Sequence, residues 1–138
     1  MFDRDGNRTP VYDYVKTAGI QIEAVDEVLM CCKSKGVIVS GSMPWDGNSG
    51  IPAKDILQTY GEISAVNGWH TLVGCFDYNG KTALYVTNNS VTEGDDVDIT
   101  FTKGVKGYTV QKAVKNQFEG AELNLKLDAG EGVLVVIE

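Results

Sequence analysis

Aromatic residues in turn-rich segments are the side chains of this sequence that best suit ligand binding. Trp45, Tyr60 and Trp69 are candidates to hold a carbohydrate, since a flat aromatic face matches the apolar C–H face of a pyranose ring. Trp45 leads because it lies in the loop GSMPWDGNSG at 41–50. The competing interpretation, which the sequence favours, is structural: Trp69 and Phe76 fill the core, and Trp45 packs where the loop meets a sheet.

Acidic residues are numerous, but their spacing predicts neither a metal site nor a catalytic pair. A run between Glu93 and Asp98 offers the oxygens that calcium needs, yet such a run is more often a solvated turn that leads into a strand. Glycosidase chemistry requires two carboxylates about 5 to 10 Å apart in a cleft. Nothing in the sequence pairs the available carboxylates, which are Asp13, Asp46, Asp55, Glu62 and Asp77. We therefore expect no metal, no cofactor and no catalytic residue in this chain.

The single histidine and the three cysteines predict structural roles. A serine-histidine-aspartate triad would have to use His70, and no G-x-S-x-G motif is present. Cys31, Cys32 and Cys75 form neither a disulfide framework nor, with one histidine, a zinc site. We interpret all three as small buried hydrophobic residues. Unpaired thiols favour a cytoplasmic over a secreted location.

Length and charge limit the classes of partner. The 138 residues suffice for one domain with a real core. The net charge of −7, without a stripe of lysine and arginine, argues against nucleic-acid binding. No apolar run approaches the roughly 20 residues that a membrane helix needs, so we expect no membrane association.

A long helix is predicted at about 10–33. Thr9 suits the N-cap and Pro10 the first helical position, while Gly36 offers a stop. One apolar stripe has helical spacing and should pack on the rest of the protein: Val11, Tyr14, Val15, Ala18, Ile22, Val25, Leu29 and Cys32. A second apolar set lies on the opposite side and should be exposed, which predicts weak self-association: Tyr12, Ile20, Ala24, Met30 and Cys31.

After Gly36 the pattern changes to strands and turns. The predicted strands are 37–40, 62–66, 70–78, 81–88, 96–102, 107–115, 121–127 and 132–137, and 51–60 suits a helical turn or a short strand. The last strand is apolar on both sides and should lie inside a sheet, while Asn79-Gly80 predicts a two-residue type I′ hairpin turn. The fold class is therefore mainly β: an antiparallel β-sandwich of seven to eight strands preceded by one long N-terminal helix.

Two stretches resemble a known group of enzymes. FDRDGNRTPVYDYVK at 2–16 resembles the segment that leads into the last helix of (β/α)8-barrel glycoside hydrolases, whose D-x-D-G-x-x-T/K-P-x-Y motif is matched by Asp3, Asp5, Gly6, Thr9, Pro10 and Tyr12. The later part is similar to the all-β domain that closes many such enzymes. A hairpin motif is matched by Phe76, Gly80, Leu84, Val86 and Asn88, and a final-strand motif by Leu127, Ala129, Gly130, Glu131, Gly132 and Leu134.

The resemblance, closest to a β-galactosidase-like group, implies a division into two parts. Residues 1–35 would be the end of a barrel, with its last helix, and residues 36–138 a C-terminal β-sandwich domain. The catalytic carboxylates of such enzymes lie on barrel strands that this chain does not contain, so none can be assigned. The expected function is a non-catalytic accessory domain that braces the catalytic barrel through the helix, whose second apolar set would face the barrel. The alternative is a carbohydrate-binding module that stacks sugar rings on exposed aromatic residues.

Overall fold

The computed structural model describes residues 1–41 and 51–138 and shows a mainly β chain with one N-terminal helix. The helix is α1 (Pro10–Met30), and a 3-10 turn covers Ala53–Asp55. The strands are β1 (Cys32–Gly41), β2 (Ile56–Leu57), β3 (Ile63–Asn67), β4 (His70–Tyr78), β5 (Lys81–Asn88), β6 (Asp95–Gln111), β7 (Val114–Leu127) and β8 (Gly132–Ile137). The predicted fold class is confirmed. The segment 51–60, predicted to hold either a helical turn or a short strand, contains both.

The strands form one bent sheet that folds over on itself. Their order is β2-β1-β4-β5-β8-β6-β3, and β7 pairs with β6 along its other edge. All described pairs are antiparallel except β1 with β2, which is parallel. The β6–β7 register shifts between Thr100 and Val105. The first half of β6 pairs with β3 and the second half with β8, so a small layer built on β3, β6 and β7 folds back over a large one.

The main core fills the space between the two layers. Alternate residues of β6, including Val97 and Ile99, meet inward residues of the large layer such as Val73 and Leu84, and all four are fully buried. This is the pattern that strict alternation of apolar and polar residues predicts. Strand β8 is buried from Val133 to Ile137, which confirms its predicted place inside the sheet.

The helix packs on the outer face of the large layer through its C-terminal half. Val25 is buried there in a cluster with Leu134 and Val136 of β8, and Val28 and Leu29 pack against it. The part of the predicted stripe that precedes Val25 is exposed rather than buried against the sheet. Its exposed members are Val11, Tyr14, Val15 and Ile22, between 50% and 72% exposed. The predicted packing of the whole stripe is therefore right only from Val25 onward.

The helix ends earlier than its apolar period suggests. It stops at Met30, and β1 begins at Cys32, where the chain pairs with Tyr78 of β4. Strand pairing thus overrides the helical pattern at 31–33, and β1 starts inside the segment predicted as barrel end and helix. Gly36 marks a bulge in β1 rather than a helix stop.

The three cysteines differ in exposure. Cys75 is buried, Cys32 is half-buried and Cys31 is exposed, so the prediction that all three are buried is wrong.

Two tight turns share a conformation but not a sequence type. Asn79 and Gly80 both have positive φ between β4 and β5, as a type I′ turn requires, which confirms the prediction. Lys112 and Ala113 also have positive φ and join β6 to β7. The predicted strand at 107–115 runs through this second turn and is wrong there, because lysine and alanine carry no turn signal.

Candidate functional site

Trp69 lies on an exposed corner between the two layers. The two-residue connection Gly68–Trp69 joins β3 of the small layer to β4 of the large layer. The Trp69 side chain is 73% exposed, so the interpretation that it fills the core is wrong. Phe76, its proposed companion in the core, does pack against a core cluster, the one between the sheet and the helix.

A buried carboxylate holds this corner. Asp95 accepts hydrogen bonds from the backbone N–H of Trp69 at 2.9 Å and of His70 at 3.0 Å, and from the hydroxyl of Thr71 at 2.7 Å. Burial by itself raises the pKa of Asp95, but these hydrogen bonds outweigh it and the pKa is lowered. The predicted solvated turn therefore does not describe Asp95, which is a structural anchor.

Close packing of the backbone adds to the rigidity of the corner. The Ser40 hydroxyl accepts from the Gly68 N–H at 3.0 Å and donates to the Gly68 carbonyl at 3.3 Å. Gly41 has a φ of +83°, and a Cβ there would collide with the Trp69 backbone. The main chain that carries the Trp69 indole is thus fixed from three sides.

A polar face lies beside Trp69 on the outside of the small layer. Asn67, Asp98 and Asn124 stand in register across β3, β6 and β7. The Asn124 amide donates to Asp98 Oδ1 at 2.7 Å and to Asp96 Oδ1 at 2.6 Å. An open cleft of about 430 Å³ is lined by Gly41, Asn67, Gly68, Trp69, Asp96 and Asp98.

The polar members of this cleft are functional candidates that the sequence did not single out together. The alternation in DVDITF and ELNLKLD predicts that Asp96, Asp98 and Asn124 face solvent. That Asn67 and Trp69 join them depends on the pairing of β3 with β6, which is a long-range contact. A local pattern cannot specify such a contact.

The other two predicted aromatic residues do not join Trp69. Tyr60 precedes β3 while Trp69 follows it, and the five residues of that strand span about 16 Å. Tyr60 is half-buried against the main core, and burial, with the nearby charge of Asp77, raises its pKa. Trp45 belongs to the segment 42–50, which is outside the described residues. A shared platform of Tyr60 and Trp69 is therefore not formed.

The single histidine pairs with a carboxylate near the corner. His70 Nε2 lies 3.3 Å from Glu93 Oε2 at the edge of the corner. Across residues 1–41 and 51–138, no three His, Cys, Asp or Glu side chains come together to hold a metal ion. The same residues include no helix with the length and apolar character to cross a membrane.

A second candidate surface is the uncovered half of α1, here called the overhanging stripe: Val11, Tyr14, Val15 and Ile22. The chain before it folds into a tight turn in which the Asp3 carboxylate accepts from the backbone N–H groups of Asp5 and Asn7 at 2.9 and 2.8 Å. These hydrogen bonds, that of Asn7 first, lower the pKa of Asp3.

The turn also packs onto the start of the helix. The centroids of the Phe2 and Tyr12 rings are 5.5 Å apart, and the Arg8 guanidinium lies over the Tyr12 ring, 4.5 Å from its centroid. Tyr12, predicted to be exposed with the second apolar set, is half-buried by these contacts, whereas Ile20 and Met30 of that set are exposed.

Comparison with protein-family models, with curated proteins and with solved structures found no match. The fold itself defines the class: a β-sandwich-like domain with one N-terminal helix packed on its large layer.

Proposed function

We propose that this chain is a non-catalytic accessory domain of a glycoside hydrolase and that it braces a catalytic barrel through α1. The observation that carries the proposal is the overhanging stripe. Val11 is 52%, Tyr14 72% and Ile22 62% exposed, although all three continue the apolar face that packs on the sheet further along the helix. A helical stripe of this kind is normally covered by another part of the protein.

The energetics favour a partner for this surface. Full burial of a Val or Ile side chain stabilises a structure by about 1.5–3 kcal/mol. Several such side chains on one face of α1 therefore offer a substantial gain from docking. The adjoining surface is not strongly charged, since Lys16 and Asp13 balance each other along this part of the helix.

The N-terminal turn supports the choice of a barrel as the partner. It contains the residues that carry the resemblance to barrel-end segments, and they have structural roles: Asp3 closes the turn, Pro10 begins α1, and Tyr12 packs on Phe2 and Arg8. The turn sets the direction in which the chain enters the helix. In a complete enzyme of this class, that direction would relate the barrel to the sandwich.

The first test is the coding sequence upstream of the Met1 codon. The proposal expects an in-frame (β/α)8 barrel with two glutamates at strand ends. A different fold in that frame, or none, would overturn it.

The second test is docking of the separately produced barrel to this chain. Val15→Glu should weaken binding by about tenfold or more, because a carboxylate would be buried without a partner. Val91→Glu is the matched control, since Val91 is 87% exposed outside the helix, and it should leave binding unchanged. Ile20→Glu distinguishes the opposite helix face. Loss of binding with Ile20→Glu but not with Val15→Glu would contradict docking through the overhanging stripe.

A further inference from the structure

The cleft beside Trp69 combines three kinds of group that sugar recognition uses. The indole offers an apolar face that is 73% exposed. Asp96 and Asp98 offer carboxylate oxygens, and Asn67 offers an amide, on the same outer face of the small layer. Binding sites for small polar ligands typically pair an apolar or aromatic wall with a few well-placed polar groups.

The polar groups are arranged to bind hydroxyls. The Asn124 amide N–H groups bridge Asp96 Oδ1 and Asp98 Oδ1 at 2.6 and 2.7 Å, which fixes both carboxylates. Asp96 and Asp98 are both exposed and these hydrogen bonds use only Oδ1 of each, so the second oxygen of each can accept from a ligand. A sugar hydroxyl donates to a carboxylate and can both donate to and accept from an amide, so neighbouring hydroxyls find matched groups here.

We propose that this cleft binds a neutral pyranose unit of a glycan, with Trp69 stacked on the C–H face of the ring. Asp96 and Asp98 accept from its hydroxyls, and Asn67 completes the polar side. The two carboxylates select against acidic sugars, because bringing a uronate or sulfate beside them would set like charges together.

The rigidity of the corner favours binding. Asp95 and Ser40 hold the backbone on either side of the indole, so little main-chain ordering is needed when a ligand arrives, and ordering is one of the principal costs of association. The cleft residues lie on β1, β3, β6 and the corner, not on α1. An experiment can therefore contradict the proposed sugar binding without contradicting the proposed docking to a barrel, and the reverse is also true.

The test is an NMR titration of the ¹⁵N-labelled chain with neutral gluco-, galacto-, manno- and xylo-oligosaccharides at millimolar concentrations. Oligogalacturonate is the anionic comparison. The expected result is saturable shifts at the Trp69 indole and at the backbone amides of 67–69 and 96–98 with at least one neutral sugar, and none with oligogalacturonate.

Variants assign the binding to named groups. Trp69→Ala should weaken binding by about tenfold or more, and Asp98→Ala by about fivefold. Val114→Ala is the control, because Val114 is 55% exposed at the start of β7 and does not line the cleft, and it should leave affinity unchanged. The melting temperature of each variant verifies folding.

Four outcomes would overturn the proposal. They are flat titrations with every neutral sugar, unchanged affinity in folded Trp69→Ala, loss of binding in Trp45→Ala with retention in Trp69→Ala, and the same shifts produced by calcium alone.

Discussion

Asp77 and Asp95 both stabilise a turn by accepting hydrogen bonds from backbone N–H groups, but the two turns differ in their surroundings. Asp77 Oδ1 accepts from the Gly80 N–H at 2.8 Å, three residues along the chain, at an exposed hairpin turn. Asp95 accepts three hydrogen bonds at the Trp69 corner from residues 24 to 26 positions away, and it is buried. One turn is held by its neighbours in sequence, and the other by the folded core.

This difference predicts how strongly each region is destabilised when its carboxylate is removed. Around Asn79-Gly80 the backbone conformation suits its own residues, and water can replace a lost hydrogen bond. At the corner, removal of the carboxylate leaves donors inside the protein with no partner. An unsatisfied buried group costs more than the hydrogen bond was worth. Mutation of the two sites should therefore separate local from tertiary control.

Asp95→Ala should produce the largest effect, a loss of about 3 kcal/mol in the free energy of unfolding, because three donors lose their acceptor. Urea denaturation measures it. Trp69 should also lose its fixed position, which is visible as line broadening of its indole NMR signal. A loss below about 1 kcal/mol would show that the corner does not depend on the buried carboxylate.

Asp95→Asn should cost about 2 kcal/mol at neutral pH, since the amide keeps the shape but turns one acceptor into a donor. The pKa of Asp95 is lowered from its ordinary value of 3.8. Its contribution is therefore complete above that value and is lost as the pH falls through the lower, folded-state pKa.

The stability difference between wild type and Asp95→Asn should accordingly narrow as the pH falls below 3.8. Denaturation curves at a series of pH values measure this difference, and the same series on Asp77→Asn is the control. A constant difference down to pH values well below that point would contradict the proposed role of the charge.

Gly80→Val should destabilise the hairpin by about 1 kcal/mol or more, because a β-branched residue resists the positive φ at this position. Gly80 has a φ of +84° and open space around its Cα, so conformation rather than collision sets the cost. Thermal unfolding measures it. An unchanged melting temperature would mean that the turn adopts another conformation in solution.

Asp77→Ala should have the smallest effect, about 0.5–1 kcal/mol, since it removes one exposed hydrogen bond. The comparison with Asp95→Ala is the decisive one, and both can be measured in the same denaturation experiment. If Asp77→Ala and Asp95→Ala lose equal free energies of unfolding, the two turns do not differ in how they are stabilised.

Much of the fold was predictable because its signals are local. Thr9-Pro10 marks the start of α1, Asn79-Gly80 marks a hairpin, and alternation identifies the β6 segment at 96–102. The end of the helix was not predictable, since Cys31 and Cys32 continue its apolar period and only pairing with β4 makes the chain extended there.

The candidate cleft was predictable only in part. The sequence indicates Trp69 as one candidate aromatic residue, but it also favours a core position for Trp69 and a platform shared with Tyr60. Exposure of Trp69 follows from the crossing between layers at Gly68–Trp69. Its polar neighbours follow from the β3–β6 register.

The sequence by itself determined the elements: one long helix, alternating strands, a final strand buried on both faces and the Asn79-Gly80 turn. Periodicity and turn chemistry act over a few residues and are readable there. Only the tertiary structure decided that half of α1 stays uncovered, that Lys112-Ala113 turns without turn residues, and that Asp95 anchors the Trp69 corner. Each of these depends on contacts between distant segments, whose energies outweigh local preference.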